Sequence, residues 1–545
     1  MTGEHPPPDG DEAAPAVDRT GPPRAGQPAG PPRAGQPAGG PDRAEKPAGG
    51  PKRAGPPAGS PGRGVDLSGG LAALRGLLAR PLASYYLLLS SAALLLIIGL
   101  TMVYSATSVK AFADEGSATA TFANQAAFAL IGLVAFWVCQ RLPARTFQAL
   151  AIPVLGVALT LLVILDGLLA LAALGLLKVP ILGPLEAERL WLFIGPVGLQ
   201  PSEVAKFGMV LWGSDVIARK GAALGWWREL AMPLFPVVGL LFVLVGYNDL
   251  GTMLCLLAVV VGLLWAAGVR LRIFATLSVL GLAGVGLLIA AASQGGGSDG
   301  EGGNYRLDRL TLFFNPPDDC KLDLCYQMIQ SRNALDTGGW FGVGLGKGSL
   351  KWDWLPAADN DFIFAILANE LGVVGCFVVL ALFGVLAYSG MRIARRVEGD
   401  FRRLAAASAT TWLISQALIN IGGVVGLIPL TGVPLPFISR GGSALLVTLA
   451  AVGMLASFAR AEPDAARALH ARPPARWVRL LWAPLPPLPA GRRADRSSAP
   501  TARSTGSGAR RGADPGATKR RDGDARPKQG GTARPRAGSG SERRR

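Results

Sequence analysis

The chain has 545 residues, 50% hydrophobic and only 17% charged, with a formal net charge of +17. A soluble domain carries about 25% charged residues; here the deficit lies in the middle of the chain, between two polar, basic ends. This excludes an ordinary soluble enzyme and indicates an all-α polytopic membrane protein. Residues 1–83 repeat a Pro/Gly-rich phrase, PPRAGQPAG from Pro22 and again from Pro31. Such text buries no core and reads as a disordered cytoplasmic tail.

Ten apolar spans follow, at 84–107, 121–140, 146–167, 201–218, 230–247, 249–268, 272–292, 361–390, 404–428 and 441–459. About 20 residues each, they cross ~30 Å of hydrocarbon as helix. Segment 167–185 is also apolar and reads as an extra or re-entrant helix. Arginines and lysines gather in alternate loops (Arg141 and Arg145; Arg219, Lys220 and Arg228; Arg270 and Arg272; Arg392 to Arg403). The positive-inside rule then puts both termini in the cytoplasm and makes 293–360 one large extracytoplasmic loop. Residues 461–545 carry 20 Lys+Arg against 7 Asp+Glu and read as a disordered basic tail. It is drawn to anionic lipid rather than nucleic acid, with Trp477–Trp482 as an interfacial anchor.

The two histidines, His5 and His470, fall outside the apolar core, so acid/base chemistry in the membrane falls to carboxylates or Lys. Cys320 and Cys325, at C-x4-C spacing in the outer loop, permit a disulfide; zinc would need two further ligands. Glu203 and Lys206 share a helix face at the outer start of the fourth span, and Asp249 opens the sixth on the same side. This cluster either ties helices together or binds an anionic headgroup. Asp361 lies where the loop becomes the eighth span. Asp359 and Asn360 already provide a helix cap, which leaves Asp361 at the mouth of the bundle as a candidate general base. Glu370, nine residues on, falls on the opposite helix face and roughly 13 Å deeper. The run 342–348, GVGLGKG, misses the phosphate-loop spacing; it reads equally as a plain loop hinge or as amides that hold a pyrophosphate. PLPFISRGGS (434–443) breaks the helix pattern beside a cavity.

Together and in order, VYSATS (103–108), QPSEVAK (200–206), DLGT (249–252), NP (315–316), YQMIQS (326–331), GGWFGVGLGKG (338–348), KWDWLP (351–356), NDFIFAILANELG (360–372) and GLIPLTGVPLPFIS-GG (426–442) resemble the SEDS family (shape, elongation, division and sporulation), over about 84–460. The resemblance implies a ten-helix peptidoglycan glycosyltransferase that polymerises lipid II on the outer face of the cell membrane. Its implied partners are a class B penicillin-binding transpeptidase and other divisome proteins. KWDWLPAADNDFIFA and QALINIGGVVGLIPLTG fit the division branch, hence the septum. Alternatives are an elongation-type polymerase, a lipid II flippase or a non-catalytic scaffold.

By the resemblance, Asp361 is catalytic and takes the proton from the acceptor's C4 hydroxyl. Gln200, Ser202, Glu203, Lys206, Asp249, Gln327, Lys347, Ser439, Gly441 and Gly442 bind substrate, and Glu370, Cys320 and Cys325 are structural. Lys206 or a divalent cation (Mg or Mn) would offset charge on the polyprenyl pyrophosphate leaving group. The chain departs from the family pattern at Asn369, where a carboxylate is usual, at Arg440, and in YNDLGT.

Overall fold

The computed structural model describes residues 76, 78–177, 181–183, 185–188, 190–195, 197–221, 227–246, 249–294, 323–348 and 359–488. The repeats of the N-terminal tail, the sequence after 488, NP (315–316), KWDWLP and Cys320 lie outside these residues, as does the expected Cys320–Cys325 pairing.

Ten helices correspond to the ten expected spans: α1 (Ala83–Glu115), α2 (Ala120–Arg141), α3 (Ala144–Ala173), α4 (Pro201–Lys220), α5 (Trp227–Gly246), α6 (Leu250–Ala266), α7 (Leu271–Gln294), then α9 (Ile363–Arg396), α10 (Asp400–Val425) and α11 (Gly442–Arg460). Between α7 and α9, α8 (Asp323–Gly338) belongs to the long loop. Among the described residues, α1, α2, α3, α9, α10 and α11 are long and apolar enough to cross a membrane by length and composition. The chain is an all-α polytopic membrane protein. α1 and α9, at 33 and 34 residues, run to about 50 Å at 1.5 Å per residue and extend past the hydrocarbon. The end bearing the start of α9 is termed outer, and the end bearing the start of α1 inner.

α4 shows how sequence sets an element. Pro201 occupies its first turn with Glu203, and Arg219 and Lys220 close it; a proline that needs no amide, an early carboxylate and late cations all suit a helix and its dipole. α2 lies closely on α11 because Gly453 brings the backbones together: a Cβ there would come within 2.5 Å of the Phe136 carbonyl oxygen. Small residues do this in membrane bundles, where burial in lipid adds no hydrophobic drive.

Two expectations are corrected. Segment 167–185 is not a further helix. α3 continues to Ala173, and an antiparallel four-stranded meander follows: β1 (Ile181–Leu182), β2 (Leu185–Glu188), β3 (Trp191–Ile194) and β4 (Val197–Leu199) in order β1-β2-β3-β4. Leu192 and Ala187 bury one of its faces against Leu165 and Leu168 of α3. Nor does ordered structure stop at 460. Helices α12 (Pro463–Ala471) and α13 (Arg476–Leu481) continue as a strap to 488. The indole of Trp482 donates to the Tyr85 hydroxyl (2.7 Å), which donates to Gln140 (3.2 Å), while Arg460 donates to the carbonyls of Ala483 and Pro484. Those bonds hold a segment whose composition alone reads as tail.

Candidate active site

A fully buried ion pair lies inside the bundle. Lys206 Nζ lies 2.7 Å from Glu203 Oε1, and both side chains are 0% exposed. The ammonium also donates to Gln416 Oε1 (2.8 Å) and sits 5.6 Å from the centre of the Trp412 ring. Two hydrogen bonds and a ring face use its donors, so a charge that would be costly in an apolar bundle is held. Asp249 caps α6, accepting from the backbone N–H (2.9 Å) and hydroxyl of Thr252. α4, which carries Glu203 and Lys206, packs against α6, whose start Asp249 caps, so the three charges lie on neighbouring helices.

Gln416 joins this centre to a second one. Its amide also accepts from the Trp412 indole (2.8 Å) and donates to the Pro434 carbonyl (2.9 Å). One turn along α10, Asn420 donates to the carbonyls of Asp361 (2.9 Å) and Val433 (2.8 Å). Trp412, Gln416 and Asn420 recur every four residues and so share a face of α10. Successive positions are about 6 Å apart along the axis. This face is a spine between the buried ion pair and the backbone that carries Asp361.

Asp361 is half-buried and lies two residues before α9, whose N-cap is Phe362 without a side-chain cap bond. Asp359 and Asn360 do not cap the helix as expected. Asp359 pairs with Arg440 (2.9 Å) and accepts from its backbone N–H (2.8 Å), and the Asn360 carbonyl accepts from Ser439 Oγ (2.6 Å). The segment 359–361 is therefore clamped between α10 and the 433–440 loop. That loop holds the one non-glycine residue with positive φ among the described residues, Phe437 at 68°. It also lies hard against α1, where a Cβ on Gly99 would come 2.2 Å from the Phe437 carbonyl oxygen. Ser443 accepts from the backbone N–H of Gln200 (3.1 Å), and Gly441 donates to Gln125 (3.3 Å). Gln200, Ser439 and Gly441 are thus each tied across elements at or beside this loop.

Glu370 cannot be placed by rotation from Asp361, because Asp361 is not on the helix. It is fully buried and accepts both oxygens' bonds from Ser105 of α1 (2.8 and 2.7 Å). Just beyond it α9 breaks at Gly372, with φ 67°. The loop after α8 fills the break. Val343 and Gly344 donate to the carbonyls of Asn369 and Glu370, and Val373 and Val374 donate to those of Gly339 and Trp340. Every backbone group freed by a break inside a bundle needs such a partner. Asn369, the residue replacing the family's carboxylate, donates to Thr337 Oγ1 (2.6 Å) of α8.

Lys347 is exposed in this loop, which packs on residues 368–374 rather than on Asp361. Gln327 is half-buried on α8. The structure does not bring these two into the hydrogen-bonded network, and Lys206 directs two of its three donors to Glu203 and Gln416 within the protein. Glu203 Oε2, Ser202 Oγ and Asn420 Oδ1 are buried without a hydrogen-bond partner among the described residues. Such atoms mark where water or a bound polar group completes the bonding. Among the described residues no three His, Cys, Asp or Glu gather as a metal-binding group, so the donor set does not by itself form a cation site. Trp412, Gln416, Asn420, Ser105 and Gln125 were not singled out by sequence; neutral amides on an apolar helix carry no charge signal.

The FtsW/RodA/SpoVE family, described as "Cell cycle protein", matches residues 85–463. The chain belongs to this family. It is 40% identical over 411 residues, 75% of this chain and 74% of the other, to the "Probable peptidoglycan glycosyltransferase FtsW" of Mycobacterium tuberculosis. It is 34% identical over 369 residues to the "Stage V sporulation protein E" of Bacillus subtilis, covering 67% of this chain and 94% of that protein. Among solved structures, a chain of "Structural coordination of polymerization and crosslinking by a peptidoglycan synthase complex" matches with TM-score 0.50 at 25% identity, covering 68% of this chain and 96% of that one. The family match, residues 85–463, covers α1 to α11 and so includes both centres and the spine between them.

Proposed function

We propose that this chain is a division-type peptidoglycan glycosyltransferase that polymerises lipid II at the outer end of the bundle, beside a class B penicillin-binding transpeptidase, with both termini in the cytoplasm and the protein at the septum. The mycobacterial and other relatives named as probable peptidoglycan glycosyltransferases support the activity, and the synthase-complex neighbour supports a transpeptidase partner. The observation that carries the site is the clamp on residues 359–361. Three backbone or side-chain ties fix the base of Asp361 and leave its carboxylate half-buried at the mouth.

In this reading Asp361 accepts the proton of the acceptor's C4 hydroxyl as that oxygen attacks the donor's anomeric carbon with inversion. The polyprenyl pyrophosphate leaves with the bonding electron pair. Positioning supplies part of the rate and general-base catalysis contributes about 10²–10⁴-fold. Arg440, half-exposed beside Asp359, is better placed than Lys206 to meet the leaving group's charge. The Lys206–Glu203 pair sets Gln416, and through it the loop.

The test is conversion of purified lipid II by the full chain with its transpeptidase partner, read as glycan polymer on a gel. Polymer that forms while the partner's transpeptidase is blocked supports this reading. Transbilayer movement of lipid II without polymer would replace it with a flippase, and neither activity would leave a scaffold. The basic sequence beyond 488, by its charge, is proposed to lie on anionic lipid.

A further inference from the structure

A groove of about 1050 Å³ opens at the inner end, between the start of α1, the last turns of α2, the middle of α11 and the C-terminal strap. Its walls are aliphatic, including Leu82, Leu89, Leu96, Leu133 and Leu449. It reaches the upper end of the size range of small-molecule sites, about 300–1,000 Å³. Two features separate it from ordinary lipid-facing surface. It has a built floor, Trp482, locked through Tyr85 to Gln140. It also has one charged wall residue, Arg80, which is exposed and takes part in none of the described ion pairs.

Further arginines stand around the groove. Arg141 stacks on Trp137 and donates to the carbonyls of Leu480 and Leu481; Arg392 donates to that of Leu78; Arg460 donates to those of Ala483 and Pro484. Arg392 and Arg460 are buried, and the Glu462 carboxyl lies within electrostatic reach of Arg392; Arg141, like Arg80, takes part in none of the described ion pairs. Apolar walls beneath Arg80, with Arg141 held beside the strap, complement one ligand chemistry.

We propose that this groove is a binding site for one anionic phospholipid, its acyl chains along α1 and its phosphate on Arg80. Lipid tails are as apolar as the leucines that line the groove, so the chains give little selectivity. Selectivity comes from the headgroup, where a guanidinium pairs well with phosphate. One cation at a membrane surface is worth about a fivefold preference.

The test is native mass spectrometry of the full chain in detergent, titrated with dioleoyl phosphatidylglycerol or dioleoyl phosphatidylcholine. The wild type is expected to retain one phosphatidylglycerol about fivefold better than phosphatidylcholine. Arg80→Gln should bring the two lipids level at an unchanged melting temperature. Ala93→Trp, an exposed wall position, should lower retention of both. Equal retention of the two lipids by wild type, or a preference that survives Arg80→Gln, would overturn the site. So would a preference that disappears when every Lys and Arg of 489–545 is changed to Gln, since the lipid would then sit on that segment.

Discussion

The two ends of the bundle use polar groups in opposite ways. At the outer end, side-chain amides and hydroxyls bind backbone carbonyls of the segments that carry Asp361, and each bond sets the position of a loop. At the inner end, Arg141 and Arg460 bind carbonyls of the strap, Trp482 of the strap binds Tyr85, and Arg392 binds the Leu78 carbonyl ahead of α1, so these bonds fasten surface segments while Arg80 and Arg141 stay outside the described ion pairs. Polar atoms at the outer end therefore encode geometry, while those at the inner end encode attachment and charge. Substitutions at the outer end should change rates, and substitutions at the inner end should change anchoring and lipid contact.

The largest break in this contrast is expected at the buried pair. Lys206→Met strands Glu203 in an apolar interior and should destabilise the fold by about 3–5 kcal/mol, read as a lost or lowered melting transition in detergent. The double variant Glu203→Leu with Lys206→Met should recover much of that stability but not polymerisation, because Gln416 would lose the partner that orients it. Next comes the spine. Asn420→Ala should cut kcat by up to about 10²-fold through misplacement of Asp361, with lipid II binding and melting temperature little changed. Trp482→Phe, the matching change at the inner end, should leave kcat alone. An equal loss of kcat from both would erase the distinction.

Smaller effects follow from backbone and from burial. Gly372→Ala forces a side chain into positive φ at the break in α9 and against the crossing loop, a cost of about 1–3 kcal/mol, measurable as a lower melting temperature. At the inner end, burial holds the Glu462 carboxyl above its ordinary value against the opposing pull of Ser84, Arg392 and Arg396. The folded chain thus keeps this proton more tightly than the unfolded chain does. Stability is lost as pH rises from the ordinary carboxylate value, about 4.3, through the raised folded one. Glu462→Gln should remove that slope and give a small rise in melting temperature at neutral pH.

Much of this architecture was legible in the sequence because charge and apolar length are strong signals in a membrane chain. The ten helical segments, six of them long and apolar enough among the described residues to cross a membrane, and the Glu203–Lys206 pair both came from those two signals. The meander at 181–199 was hidden by its high apolar content, although the Gly-Pro steps at 183–184 and 195–196 mark its turns. The break at Gly372 was hidden for a different reason: its partners come from a loop some 30 residues earlier, and no local pattern announces them. Gln416 and Asn420 look like ordinary polar residues on a helix. Only the fold reveals that one holds the ammonium and the other holds the backbone of Asp361. The strap at 461–488 reads as tail by composition because its order comes from Tyr85 and Arg141, far away in the sequence, and from Arg460 reaching forward to Ala483 and Pro484.

The central claim is that a positioned Asp361 carboxylate is the base for glycan polymerisation. It is tested most directly by single-turnover polymerisation of purified lipid II with the transpeptidase partner bound, comparing wild type with Asp361→Asn. Both chains should show the same melting temperature and the same partner binding. The account predicts a fall of about 10²-fold or more in the asparagine variant; polymer formed at the wild-type rate would contradict it.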